Sequence, residues 1–366
     1  MKINKAFLVL AFAIFNINCF AQKQSIKIVV QSFLDTVKYN AFMSPNLNWD
    51  SISTSLLHET KEIDSISHLA PHFNKVLKEL KDGHSRLYPK SSISSQPDES
   101  SMFEIFAKMT DKEAGLPPKR FIHKMIDNKY AYINIPSVTF ENRAYVDTIG
   151  KQLLELDKYT PKAWIIDVTE NDGGMAFAMN WHFPTLIDSD QTYSMVDNKG
   201  HETKVDKILN LNNSSEEEKK FAELFKLIPD SVPYVSLKNT KVPIILLTSK
   251  ITGSAGEFVT VHFKGQKNVL VLGQVTAGAT SANRPFEITN EYLVNLTTDV
   301  IKDRTGKIYK IGEGIIPNVK FDINLNSVAQ KEKLSHKEEL NLIIELKDLY
   351  IENAIKAIEN WKHYKK

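Results

Sequence analysis

A chain of 366 residues with 42% hydrophobic and 25% charged side chains has ordinary globular composition and is long enough for two packed units with a buried core. Lysine and arginine number 46 against 44 aspartate and glutamate, and removing Lys2 and Lys5 with the leader described below leaves 44 against 44, so net charge supplies no basic field for nucleic acid. The one cysteine, Cys19, excludes a disulfide framework and a catalytic thiol in the mature chain.

The first 21 residues read as a secretory signal. Lys2 and Lys5 precede the apolar run Ala6 to Phe15, and Cys19-Phe20-Ala21 followed by Gln22 offers a cleavage site. The run is too short to span a membrane, and nothing else approaches the ~20 apolar residues that a spanning helix needs. The mature protein is therefore expected to be exported, periplasmic or extracellular, and without an integral span. Lipidation of Cys19 is the less favoured alternative, because Asn16-Ile17-Asn18 lacks the small residues that usually precede a lipoprotein cysteine.

Residues 22–90 read as a helical subdomain. Ile26, Val29, Val30, Phe33 and Val37 recur at helical spacing, as do Phe73, Val76, Leu77 and Leu80. Asp82-Gly83 then stops the last helix and leaves His84 in an irregular segment. Residues 91–120 read as a linker or flexible loop, rich in serine at its start. A core over 121–327 opens with a hairpin around Asp127-Asn128. Short apolar strands follow at Ala163 to Val168, Pro243 to Leu247 and Val269 to Leu272, the first two leading into helices near Met175 and Ser254. Phe286 to Lys310 reads as a further extended hairpin. The segment 328–366 is a helical tail with Ile351, Ala354, Ile355 and Ile358 on one face, and the charged run Ser214 to Lys220 reads as a solvated helix face.

Several segments carry residues fit for chemistry. Thr252-Gly253-Ser254-Ala255-Gly256-Glu257 sits between strand and helix, so Ser254 lies where free N–H groups and the positive end of the helix dipole can stabilise an oxyanion. The same Ser254 and Glu257 satisfy an S-x-x-E capping box, which inert helices also use. The run Thr169 to Gly174 ends in paired glycines, which let backbone N–H groups approach a substrate, though a plain tight turn has the same composition. His84, in Asp82-Gly83-His84-Ser85, is either a general base or a structural histidine. His68 and His72 have metal-pair spacing, but Leu69 stands where a zinc hydrolase needs glutamate and no third ligand is evident.

Taken in order, D-G-H-S at Asp82 to Ser85, the strand and glycine turn at Ala163 to Gly174, T-G-S-A-G-E at Thr252 to Glu257, the turn G-Q-V-T-A-G at Gly273 to Gly278 and G-I-I-P-N at Gly314 to Asn318 resemble the tail-specific, carboxy-terminal processing serine peptidases, of tricorn-core type. The resemblance implies an α/β, ClpP/crotonase-like catalytic core with a helical N-terminal subdomain, and peptide-bond hydrolysis through an acyl-enzyme. It makes Ser254 the nucleophile and offers the N–H groups of Ala255 and of Gly173 or Gly174 to the oxyanion. Ala279-Thr280-Ser281-Ala282 contains no lysine, so this chain resembles the branch in which the D-G-H histidine, His84, is the base and a downstream carboxylate orients it. Glu313 is the candidate orienter, with Asp82 and Glu257 as alternatives. Thr169 and Glu170 stand where the family has arginine and glycine, and Asn318 where it has aspartate. Arg86 to Phe121 leaves no room for an inserted peptide-binding domain.

The expected partner is a peptide or protein substrate, with no metal, cofactor or nucleic acid. Two other functions suit the same fold: a hydrophobic-ligand-binding module without proteolysis, and an esterase-type acyl hydrolase.

Overall fold

A computed structural model describes residues 26–89, 104, 107–208, 219, 223, 226, 231–289, 291–321 and 334–364. The signal segment 1–21 with Cys19, the serine-rich stretch 91–103 and, apart from Lys219, the run Ser214 to Lys220 lie outside the described residues. Internal contacts divide the chain into two compact units, Met1–Ile105 with Asn283–Asp299, and Phe106–Ala282 with Val300–Lys366.

The first unit holds helix α1 (residues 26–40), α2 (Trp49–Glu59), α3 (Ala70–Glu79) and strand β1 (Arg86–Pro89). The helical periodicity of the sequence reappears as its core: Val30, Phe33, Val37, Phe73 and Leu80 are buried together. The Phe33 and Phe73 rings stack at 3.9 Å between centroids. Asn48 caps α2 by accepting from Ser51 N–H at 3.1 Å, as its position one residue before the helix predicts.

The second unit is built on strands β2 (His123–Ile126), β3 (Tyr130–Asn134) and β4 (Ala163–Asp167), with α4 (Asn142–Asp157) crossing between the last two. Asp127 and Asn128 both adopt positive φ, 51° and 52°, the geometry that a tight β2–β3 hairpin requires and that these two residue types tolerate. A short helix α5 (Ala176–Asn180), a paired hairpin of β5 (Gln191–Asp197) and β6 (Glu202–Asp206), β7 (Ile244–Thr248), α6 (Ala255–Phe263) and β8 (Val269–Gly273) follow. Strand β9 (Ser281–Thr289) then pairs with β10 (Tyr292–Asp303), and the chain ends in β11 (Val319–Lys320), α7 (His336–Glu345), α8 (Lys347–Glu359) and α9 (Trp361–Tyr364).

One six-stranded sheet, in the order β11-β8-β7-β4-β3-β2, organises this unit. Its central strands β3, β4, β7 and β8 run parallel, and all five positions of each are buried. That explains their continuous rather than alternating apolar character, since both faces are covered. α4, α5 and α6 cover one face through Tyr145, Ile149, Met179 and Val259. α8 covers the other with Ile351, Ala354 and Ala357 against Ile165, Ile245 and Leu270, so the apolar stripe of the tail faces the sheet.

The β9–β10 hairpin differs from its expected place. Asn283–Asp299 cluster with the first unit, because β1 pairs antiparallel with β10 from Arg86↔Asn295 to Pro89↔Tyr292, and Ile288, Tyr292, Val294 and Leu296 join the helical core. From residue 107 the expected linker counts with the second unit, where Lys119 pairs with Asp111 and Arg120 with Glu170.

Candidate active site

Three turns leave the same edge of the parallel sheet. β4, β7 and β8 are parallel neighbours, so the segments after Asp167, Thr248 and Gly273 emerge side by side at their carboxyl ends, where open α/β sheets place ligands.

The first two turns are sewn together. Ser249 Oγ donates to Thr169 O at 2.6 Å, Thr252 Oγ1 to Val168 O at 2.8 Å, and Gly253 N–H to Asn171 O at 2.9 Å. Asn171 is the bracket: its Nδ2 donates to Ile135 O at 2.8 Å, and its Oδ1 accepts from Gly173 N–H at 3.0 Å. Glycine is required where these turns meet. A Cβ on Gly173 would stand 2.9 Å from Ser254 Cβ, one on Gly256 would stand 2.7 Å from Asn171 O, and one on Gly174 would run into Val138 O. Gly173 and Gly174 also adopt φ of 133° and 118°.

Ser254 is the cap residue of α6, with φ 45° and ψ −115°. That ψ lies outside the left-handed helical basin, so the residue is held in a sparsely populated conformation costing about 1–3 kcal/mol, the kind of strain that clusters at functional positions. Its N–H donates to Glu257 Oε2 at 3.0 Å, and its carbonyl accepts from Glu257 N–H at 2.8 Å. Gly173 N–H is already engaged by Asn171. The N–H groups of Gly174 and Ala255, by contrast, have no acceptor among the described residues. Two backbone donors beside a helix-start serine can stabilise negative charge on a carbonyl oxygen undergoing attack.

Glu257 does more than cap its helix. The residue is wholly buried, and its Oε1 accepts from Gly278 N–H at 2.9 Å and from the Thr276 hydroxyl. It therefore ties the third turn to Ser254. Burial, only partly opposed by these donors, pushes its pKa up to about 7. Thr276 Oγ1 accepts in turn from Ile315 N–H at 2.6 Å, and Thr280 Oγ1 donates to Glu313 O at 2.9 Å, so the G-I-I-P segment is fixed to the same frame.

Glu313 has its carboxylate on other partners. Oε1 meets Lys307 Nζ at 2.7 Å and Oε2 accepts from Lys310 N–H at 3.1 Å; the Lys307 bond and the Lys310 N–H hold its pKa below the ordinary value. Asn318 Oδ1 accepts from Val271 N–H at 2.9 Å and so pins the late turn to β8.

In the first unit, Asp82 shapes the loop that carries His84. Its Oδ1 accepts from His84 N–H at 3.0 Å and Ser85 N–H at 2.8 Å, while Oδ2 accepts from Ser85 Oγ at 2.6 Å. Gly83 supplies the positive φ, 67°, that the turn needs. Asn283 Nδ2 holds His84 O at 3.2 Å, and Thr297 N–H holds Ser85 Oγ at 3.0 Å. Burial lowers the His84 pKa from 6.5, against the pull of Asp82, so the ring favours its neutral, proton-accepting form. His72 and His68 pair with different carboxylates, Glu59 and Asp64.

The family model described as Peptidase family S41 matches residues 129–321, just over half of the chain and the region that carries these three turns. The chain belongs to Peptidase family S41. S41 members are serine peptidases, and peptides are accordingly the substrate class. Among curated proteins, a Nisin-resistance protein of Lactococcus lactis subsp. lactis is 24% identical over 262 residues, 72% of this chain and 73% of that protein. Among solved structures, a lipoprotein from Streptococcus agalactiae superposes with a TM-score of 0.63 at 21% identity, covering 80% of this chain and 91% of that one. The photosystem II D1 C-terminal processing protease gives 0.54 at 12% identity, over 81% and 93%. These likenesses establish the fold: the mixed α/β, ClpP/crotonase-like architecture of S41 structures with helices at the N-terminus. No helix among the described residues is long and apolar enough to cross a membrane.

Two features of the site were not singled out from the sequence. One is Asn171, whose side chain and carbonyl bridge both turns. The other is Lys347 of α8, which contacts Thr169 and Glu170, the two positions where this chain departs from the family's arginine and glycine. Asn171 had a visible signal in its place ahead of the paired glycines; Lys347 had none.

Proposed function

We propose that the protein is an exported serine peptidase that cleaves peptide bonds through an acyl-enzyme on Ser254, with His84 as general base. The observation that carries this reading is the strained helix-start conformation of Ser254 beside the open N–H groups of Ala255 and Gly174. Ser254 Oγ attacks the scissile carbonyl carbon while His84 takes the hydroxyl proton. The oxyanion forms against Ala255 and Gly174, with Gly173 keeping the approach free of side-chain bulk. His84 then returns the proton to the leaving amine, and a water molecule, deprotonated by the same ring, releases the acyl group.

Glu313 is the proposed orienter of His84. Its present partners make the role conditional on exchanging the Lys307 ammonium for the imidazole. A fluorophosphonate probe followed by peptide mapping tests the reading, because it requires an activated serine and no knowledge of the substrate.

Export rests on the leader at Met1 to Ala21. Mass spectrometry of the mature protein should find its N-terminus at or near Gln22. A diacylated Cys19 at the N-terminus would replace this with a membrane-anchored lipoprotein.

A further inference from the structure

The C-terminal helices reach each of the three turns with a polar side chain. His336 Nε2 lies 3.2 Å from Asp172 Oδ2 on the glycine turn, and Glu339 Oε1 lies 2.6 Å from Lys250 Nζ on the segment leading to Ser254. Tyr350 OH meets Gln274 Oε1 at 3.2 Å on the third turn. The first two contacts are between exposed or half-exposed groups, where an ion pair contributes little. Lys347 differs in kind.

The Lys347 side chain is largely buried, and its ammonium makes three contacts at the end of β4: Asp167 Oδ2 at 2.7 Å, Thr169 Oγ1 at 2.5 Å and Glu170 Oε1 at 2.8 Å. Asp167 is fully buried and is further held by Tyr132 OH at 2.6 Å, Thr169 N–H at 2.8 Å and Thr169 Oγ1 at 2.7 Å. Burial by itself would raise the Asp167 pKa, but the ammonium and these donors hold it below 3.8; the same pair of carboxylates keeps Lys347 charged. One of the donors on Asp167 is thus a cation supplied from 180 residues away, and the same cation also holds Thr169, itself a donor to Asp167. Thr169 O is the acceptor for Ser249 Oγ, and Asn171 and Gly174 follow within five residues, so a shift at Thr169 is transmitted to the glycine turn and to the loop before Ser254.

We propose that Lys347 is a positioning residue: by clamping Asp167, Thr169 and Glu170 it sets the glycine turn, and hence the Gly174 N–H, at the distance from Ser254 that oxyanion stabilisation needs. The inference rests on the assignment of Ser254 as nucleophile. A displacement of about 1 Å in such a donor costs on the order of a hundredfold in rate, without touching the groups that bind the rest of the substrate.

The test is the fluorophosphonate inactivation rate, resolved into probe affinity and maximal rate, for the full chain and its variants. Lys347→Met should lower the maximal rate about 30- to 100-fold with affinity within about twofold, and Lys347→Arg, which keeps the cation, should recover most of it. Because Lys347→Met strands a buried carboxylate, the neutral pair Lys347→Met with Asp167→Asn is measured beside it, with folding checked by circular dichroism. A folded double variant that is still slow supports positioning, since Thr169 and Glu170 remain unclamped. A folded double variant that reacts at the wild-type rate overturns the inference and reduces Lys347 to charge neutralisation. Loss of labelling at Ser254 in the wild-type protein is a different result: it removes the nucleophile assignment, and with it this inference.

Discussion

His84→Ala should lower the rate of acylation by about a thousandfold, within the range that a positioned general base contributes, while leaving the protein folded. The pH profile of the wild type follows from the same group. A neutral imidazole is required, and burial sets the His84 pKa below 6.5, so acylation should be level above pH 6.5 and fall as the pH drops through that lowered value. Full activity in His84→Ala, or an acid limb centred above pH 6.5, would point to another base. The orienter is separated by comparing turnover in Glu313→Gln and Asp82→Asn. If Glu313 orients the ring, its variant loses roughly a hundredfold; if it keeps wild-type turnover while Asp82→Asn loses that much, the role belongs to Asp82. Asp82→Asn has a structural effect to control for, because both carboxylate oxygens shape the loop.

The second large effect is expected at Glu257. Glu257→Ala leaves three inward donors without their acceptor: Ser254 N–H, Gly278 N–H and the Thr276 hydroxyl. At about 1–3 kcal/mol for each buried group left unsatisfied, the variant should lose about 3 kcal/mol or more, visible as a fall of several degrees or more in Tm. Glu257→Gln should be milder, because its oxygen can serve the Thr276 and Gly278 side and only the Ser254 N–H meets an amide. Stability should also depend on pH through this residue. Its folded pKa, about 7, stands above the ordinary 4.5, so the folded state holds the proton more tightly; the contribution is full below pH 4.5 and declines as the pH rises towards 7. An unchanged Tm in Glu257→Ala would show that the third turn does not depend on this carboxylate.

Local features of this chain were legible because their causes are local. The hairpin at Asp127-Asn128 follows from two residues that tolerate positive φ, the Ser254 helix start from a capping pattern, and the inward stripe of α8 from helical periodicity. Glu257 shows the limit of such reading. Its capping role was visible three residues away, whereas its bridge to Thr276 and Gly278 depends on the adjacency of β7 and β8. Lys347 was beyond reach for the same reason, since no spacing rule links a lysine on a C-terminal helix to a strand end 180 residues earlier. Glu313 lies between Gly312 and Gly314, which allow a tight loop that could carry its carboxylate to the histidine, yet that carboxylate is held by Lys307 and the Lys310 N–H. The clustering of Asn283–Asp299 with the helical unit was hidden because pairing with β1 is set by register across about 200 residues of chain, not by the composition of the hairpin.

The most direct measurement is fluorophosphonate labelling of the purified protein, followed by proteolytic digestion and mass spectrometry. A single adduct is expected in the peptide containing Ser254, formed at a rate that falls with His84→Ala and absent from Ser254→Ala. Equal labelling in Ser254→Ala, or an adduct that maps to a different serine, would contradict it.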